Sequence, residues 1–342
     1  MKPIFPMSPI RIFLLFAWLI GLSGCQTEPM LKAPSEALES LHRSHFRTQD
    51  GLILPVRTYW PPEGTPEAIV VAIHGLNDYS FAFDGTGRFL SQHQLGLIAY
   101  DQRGFGMAPG RGVFAGAMTY AEDLASLVRA VHHRYPGIPV ILLGESMGGA
   151  VAIAAFTLKN PPEVEGVILS APAVWSRDTM PIYQQMLLAL ASMTVPSLEL
   201  TGSGLKVQAS DNLKMLHELG RDPWVIKATR VDAIAGLADL MDIAQSEASE
   251  LRTPVLVLYG LHDQIIPKQP IDRVIEKLAH RKTARTVLYP SGYHLLLRDL
   301  HAEIPLGDIL VWLKDHRQPL PSGFEVQKSA EGSYPKGAID SQ

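Results

Sequence analysis

Leu142-Leu143-Gly144-Glu145-Ser146-Met147-Gly148-Gly149 is the stretch that decides the fold. An apolar strand from Pro139 to Leu143 runs directly into Gly-x-Ser-x-Gly, and a helix of small residues, Ala150 to Ala155, begins at once. Strand, sharp turn and helix in that order are the context of a nucleophile elbow, which exposes a serine at the top of a sheet. Such a turn has no room for side chains on both flanks, so Gly144 and Gly148 stand where a Cβ would clash. The serine then lies at a helix N-terminus, where partial positive charge favours an oxyanion.

Outward from the elbow the chain alternates strand and helix. Short apolar runs occur at 68–73, 95–100, 140–143, 167–170, 255–259 and 286–289. Runs apolar at every position are what strands buried on both faces require. Helical stretches at about 79–92, 117–134, 147–159, 270–280 and 302–315 separate them. The expectation is an α/β fold: a mostly parallel sheet with helices on both faces. Before it, runs 44–48 and 52–60 flank Asp50-Gly51, a hairpin signal.

The rhythm breaks once. The 84 residues between Ser170 and Val255 are too many for a simple crossover, and they carry Met180, Ile182, Tyr183, Met186, Leu187, Leu190 and Met193. We read 174–250 as a helical cap inserted over the carboxyl end of the sheet; the alternative is a small second domain remote from the site. The domain is expected over 44–317. Residues 318–342, rich in Gly, Pro and Ser, read as a flexible tail.

A serine hydroxyl needs a base, and the base needs an orienting acid. Two further strand ends supply them. Val255 to Gly260 leads to Asp263, in a loop closed by Pro267; Thr286 to Tyr289 leads to His294. Ligands in open α/β sheets bind beyond the carboxyl ends of the strands, so Ser146, Asp263 and His294 are the expected catalytic residues. His262, Asp299, and Asp232, Asp239 and Asp242 fit less well by position. An oxyanion hole is expected from two backbone N–H groups: that of Met147, next after the serine, and that of Leu76, in the His74-Gly75-Leu76-Asn77 loop after strand 68–73. His74 reads as structural, and Asp101 to Gly106 as a supporting turn.

Other chemistries lack their signatures. Gly110 to Ala115 superficially fits a dinucleotide fingerprint but does not join a strand to a helix. There is no phosphate loop and no His-Glu-x-x-His spacing, so no cofactor and no metal are expected. The 342 residues carry a net charge of −4, with 46% hydrophobic and 19% charged residues, and show no basic run. That balance suits a globular domain and gives no support for a nucleic-acid partner.

The first residues read as an export signal. Lys2 and Arg11 precede eleven apolar residues, Ile12 to Leu22, too few for a bilayer span, which takes about 20. Leu22-Ser23-Gly24-Cys25 follows, and Cys25 is the one cysteine of the chain. This resembles the lipobox of bacterial lipoproteins. The resemblance implies a signal peptide over 1–24, lipid attachment at Cys25 and a place in the bacterial cell envelope. The residues after Cys25 are polar and carry Pro29 and Pro34, and 25–43 read as a tether between lipid and domain. Gln26 rather than Asp after the cysteine implies the outer membrane. Loss of 1–24 removes two positive charges and no acid, taking the net charge from −4 to −6.

His74-Gly75-Leu76, Asp101 to Gly106, Gly144 to Gly149, Asp222-Pro223, Gly260 to Pro267 and Gly292-Tyr293-His294 together resemble the monoacylglycerol lipase and lysophospholipase branch of the α/β-hydrolases, grouped with serine aminopeptidase-like hydrolases. The resemblance spans residues 44–316. It departs at Asn77-Asp78-Tyr79, where the family often has Gly-Glu-His, and at Ala108. It implies a serine hydrolase acting on a small lipophilic ester, such as a monoacylglycerol or lysophospholipid, with 171–254 as a lid. The alternatives are an amidase or aminopeptidase on the same three residues, and a non-catalytic lipid-binding lipoprotein.

Overall fold

The computed structural model describes residues 39–326 except 203, 205 and 206, all within one unit of mutual contacts. The expected signal peptide, Cys25 and most of the tether lie outside the described residues.

A nine-stranded sheet organises these residues, in the order β1-β2-β3-β5-β4-β6-β7-β10-β11. The first three strands, β1 (Ser40–Leu41), β2 (His45–Arg47) and β3 (Ile53–Tyr59), form an antiparallel edge that pairs with β5 (Gly96–Tyr100). From β5 onward, through β4 (Ile69–Ile73), β6 (Val140–Glu145), β7 (Gly166–Ser170), β10 (Val255–Gly260) and β11 (Ala284–Tyr289), every pairing is parallel. Successive side chains of a strand point to opposite faces, and both faces are covered. Val71, Leu142, Leu169 and Val257 pack beneath α2 (Ala117–Arg134), α3 (Met147–Ala155) and α7 (Lys268–Ala279). Val70, Leu143, Ile168 and Leu258 pack beneath α1 (Asp84–Ser91) and α8 (Glu303–Lys314), whose Trp312 is fully buried. Two-sided burial is why these strands read as continuous apolar runs.

The insertion divides in two. Its first part holds α4 (Ile182–Thr194), the antiparallel pair β8 (Glu199–Thr201) and β9 (Ala228–Arg230), and α5 (Leu213–Arg221), capped by the Asn212 side chain accepting from Met215 N–H. None of the residues in α4 or α5 is buried. Its second part, α6 (Val231–Glu247), lies on α3, with Ala238, Leu240, Met241 and Ala244 in the same core as the central strands. The range 174–250 therefore includes a helix that is part of the main core.

Both ends of the domain differ from their composition-based reading. Residues 39–43, assigned to the tether, are part of the fold: Glu39 accepts from Ser126 and Arg129, and β1 pairs with β2. Residues 318–326, assigned to the flexible tail, lie against β11. Arg285 forks onto Glu325 at 2.5 and 2.8 Å, Leu320 is buried, and Glu325 bridges Val287. Glycine, proline and serine content reports backbone preference, and it is blind to ion pairs and apolar contacts that dock an irregular segment.

Among the described residues no helix is long and apolar enough to cross a membrane, and no cluster of side chains suits a metal ion.

Candidate active site

Ser146 follows β6 directly and caps α3 with φ 54° and ψ −118°, a conformation that residues with a Cβ rarely adopt. The surroundings over-determine it. Its N–H donates to Ser170 O at 3.0 Å, and its carbonyl accepts from Gly149 N–H and Ala173 N–H, both at 2.9 Å. The flanking glycines are sterically required. A Cβ on Gly148 would lie 1.9 Å from Ile73 O, and one on Gly144 would lie 2.5 Å from Gly148 O. A Cβ on Gly75 would come within 3.3 Å of Ser146 Cβ, so the loop after β4 packs directly on the elbow.

The two residues expected as acid and base, Asp263 and His294, meet. Asp263 Oδ2 and His294 Nδ1 are 2.8 Å apart, and both side chains are withdrawn from solvent. The other carboxylate oxygen accepts two backbone N–H groups, Ile265 at 2.8 Å and Ile266 at 3.0 Å. An ionised carboxylate only accepts, so the imidazole proton sits on Nδ1 and Nε2 presents a lone pair. Among the described residues no direct hydrogen bond joins Ser146 Oγ to the imidazole. Such bonds are often long before a substrate is present.

The N–H groups of Leu76 and Met147 donate to no acceptor among the described residues. Each belongs to a segment that touches Ser146: the Gly75 loop and the first turn of α3. His74, by contrast, is fully engaged. Its Nε2 accepts from Gln102 N–H at 3.0 Å and its Nδ1 meets Gly75 O at 2.8 Å. Burial pushes its pKa down, so it is a neutral structural histidine. Asp101 likewise supports a turn, accepting from Ser80 N–H and Met107 N–H at 2.9 Å.

Sequence reasoning passed over a charged group beside these residues. Arg298 donates from one guanidinium nitrogen to Glu145 Oε1 at 2.6 Å and from the other to Asp78 Oδ2 at 2.7 Å. Burial raises the Glu145 carboxyl pKa, against the pull of Arg298. Burial also works against the Arg298 charge, and the two carboxylates more than offset it. The available signal was a glutamate closing an otherwise apolar strand, Val140 to Glu145, buried on both faces.

A family model described as serine aminopeptidase, S33 (Hydrolase_4) matches residues 64–301. The chain belongs to this family. Its fold is that of the α/β-hydrolases, in their monoacylglycerol lipase-like branch. The monoacylglycerol lipase of Mycolicibacterium smegmatis is 28% identical over 295 residues, covering 82% of this chain and 99% of that protein. The Homo sapiens monoglyceride lipase is 28% identical over 265 residues, covering 76% and 84%. Among solved structures, the Paleococcus ferrophilus monoacylglycerol lipase superposes with a TM-score of 0.65 at 27% identity, covering 77% of this chain and 99% of its own. A soluble variant of monoglyceride lipase from Saccharomyces cerevisiae gives 0.69 at 20% identity, covering 84% and 98%. In this S33 member the Ser146 turn, the Asp263–His294 pair and the N–H groups of Leu76 and Met147 all stand at carboxyl ends of parallel strands or in the loops that follow.

Proposed function

We propose that this chain is a carboxylic ester hydrolase in which Ser146, His294 and Asp263 act as a catalytic triad on an ester with one long acyl chain, a monoacylglycerol or lysophospholipid. The observation that carries the reading is the 2.8 Å Asp263–His294 bond, which leaves Nε2 as the free base, together with the strained Ser146 elbow.

Ser146 Oγ attacks the ester carbonyl while His294 Nε2 takes its proton. Asp263 holds the tautomer and stabilises the imidazolium. Leu76 and Met147 N–H groups receive the oxyanion; each such donor contributes about 2.7–4 kcal/mol in comparable hydrolases. The imidazolium then protonates the leaving alcohol. Water, activated by the same imidazole, releases the acid and restores the serine.

Two features support ester over aminoacyl amide. An aminopeptidase must hold a free substrate ammonium, yet Glu145 and Asp78, on the two segments flanking the serine, are both taken by Arg298. The cap is apolar: α4 bears Ile182, Tyr183, Met186, Leu187, Leu190 and Met193, all more than 60% exposed. The relatives bearing the monoacylglycerol lipase name support the same substrate class.

A fluorophosphonate probe tests the chemistry. It is expected to label wild type and not Ser146→Ala, and a panel of glycerol, phosphoglycerol and p-nitrophenyl esters should be cleaved faster than aminoacyl amides. Well-folded wild type that takes no label would return the chain to a lipid-binding role. We further propose that lipidated Cys25 anchors the enzyme in the bacterial outer membrane. Cys25→Ser should then yield soluble, active protein; active protein still firmly membrane-bound would place the anchor elsewhere.

A further inference from the structure

Arg298 lies four residues past His294, in the loop that carries the base. Its partners lie on two other segments: Glu145 immediately precedes the nucleophile, and Asp78 follows the Leu76 loop. The guanidinium side chain is 11% exposed, Glu145 1% and Asp78 12%. Asp78 and Arg298 are themselves fixed. Asp78 Oδ1 accepts from Tyr79 N–H at 2.9 Å, and the Arg298 carbonyl accepts from Asn212 Nδ2 at 3.1 Å. The base loop is also held by Asp299, which accepts from Tyr293 N–H at 2.8 Å and from Ser210 Oγ at 2.5 Å. One planar fork thus ties together the three segments that carry nucleophile, base and oxyanion donor.

We propose that Arg298 is a positioning residue whose two-armed grip on Glu145 and Asp78 fixes the approach of His294 to Ser146 and the aim of the Leu76 N–H. The proposal rests on the triad reading above. Stability alone does not account for such a group: buried ion pairs are often matched or bettered by apolar residues of similar volume. A guanidinium fork supplies set distances between planar partners, which neither a point charge nor an apolar contact reproduces. Catalysis is where fixed distances matter, since a displacement of about 1 Å changes rates by about 100-fold.

The test uses Arg298→Met, Arg298→Lys and the double variant Glu145→Gln/Arg298→Met, assayed for p-nitrophenyl ester turnover, fluorophosphonate labelling rate and melting temperature. Arg298→Met alone strands two carboxylates, Glu145 and Asp78, and should lower the melting temperature. The double variant removes the more deeply buried of the two charges. It should melt well above Arg298→Met, yet keep a kcat about 100-fold low with KM within about threefold, and label more slowly by a similar factor. A double variant that regains wild-type kcat along with its melting temperature would reduce Arg298 to charge neutralisation and overturn the proposal. Should the Met variants not fold, Arg298→Lys decides: it keeps the charge and loses the fork, so wild-type kcat and labelling in it overturn the proposal as well. Arg285→Met breaks the ion pair with Glu325 in the amino-terminal half of β11 and should leave kcat unchanged. Wild type that neither labels nor turns over ester overturns the triad reading and this one with it, whereas active wild type beside fully active Arg298 variants overturns this one alone.

Discussion

Asp263→Asn reverses the proton bookkeeping of the site without changing its shape. In the native chain Oδ1 accepts two backbone N–H groups, from Ile265 and Ile266, and Oδ2 faces His294 Nδ1. An asparagine has one oxygen, and the two backbone donors claim it. Its NH2 must then face the imidazole and donate to Nδ1. The histidine is driven to the tautomer with its proton on Nε2, so the atom facing the serine can no longer take a proton. Loss of the correct tautomer in such a triad lowers kcat by about 10⁴, equivalent to about 5 kcal/mol of barrier at 1.36 kcal/mol per tenfold. Because the substitution is isosteric, the melting temperature should stay close to wild type and KM should change little. Initial rates on a p-nitrophenyl ester at neutral pH, with thermal melts alongside, measure both quantities. A folded Asp263→Asn enzyme within about tenfold of wild-type kcat would refute the reasoning, because the acid would then not be setting the tautomer.

Three more outcomes follow from particular contacts. Gly148→Ala places a Cβ 1.9 Å from Ile73 O and 2.9 Å from His74 O, both backbone, so the elbow must retreat from the Leu76 loop; we expect kcat to fall about 100-fold or more and denaturant unfolding to show about 1–3 kcal/mol of lost stability. Trp312→Ala, which empties a fully buried site against Gly166, should remove about 3–5 kcal/mol by the same unfolding measurement. Arg103 holds the Asp50 carboxyl pKa at about 2 against an ordinary 3.8. The native state therefore binds this proton less tightly than the unfolded chain, and the contribution is fully present above about pH 4 and lost as pH falls toward about 2. Wild type should lose more stability than Asp50→Asn across that acid window, and parallel denaturation midpoints would count against the pair.

Much of the fold was legible because its determinants are local. The apolar runs fall on β4, β5, β6, β7, β10 and β11, since burial on both faces writes itself into every position of a strand. Helix 117–134 has the bounds its spacing indicated. The elbow was legible from two glycines whose Cβ atoms would strike backbone within a few residues or one neighbouring strand. Asp263 and His294 were legible as residues just past successive strand ends, and neighbouring parallel strands bring such positions together. Docking onto partners distant in sequence was not legible. Residues 318–326 are docked by Arg285 and Leu320, and α6 joins the core because its apolar face meets α3.

By itself the sequence determined the parallel sheet, the sharp turn at Ser146 and the places of Asp263 and His294 just past two later strands, because each follows from spacing within one element or from the place of a residue beyond a strand end. Only the tertiary structure decided that a single arginine joins the three segments of the site. Arg298 is separated from Glu145 by 153 residues and from Asp78 by 220. No local pattern encodes a pairing across such distances, and it exists only because the loops beyond the strand ends fold three charged side chains into one dry space, where each must find its opposite.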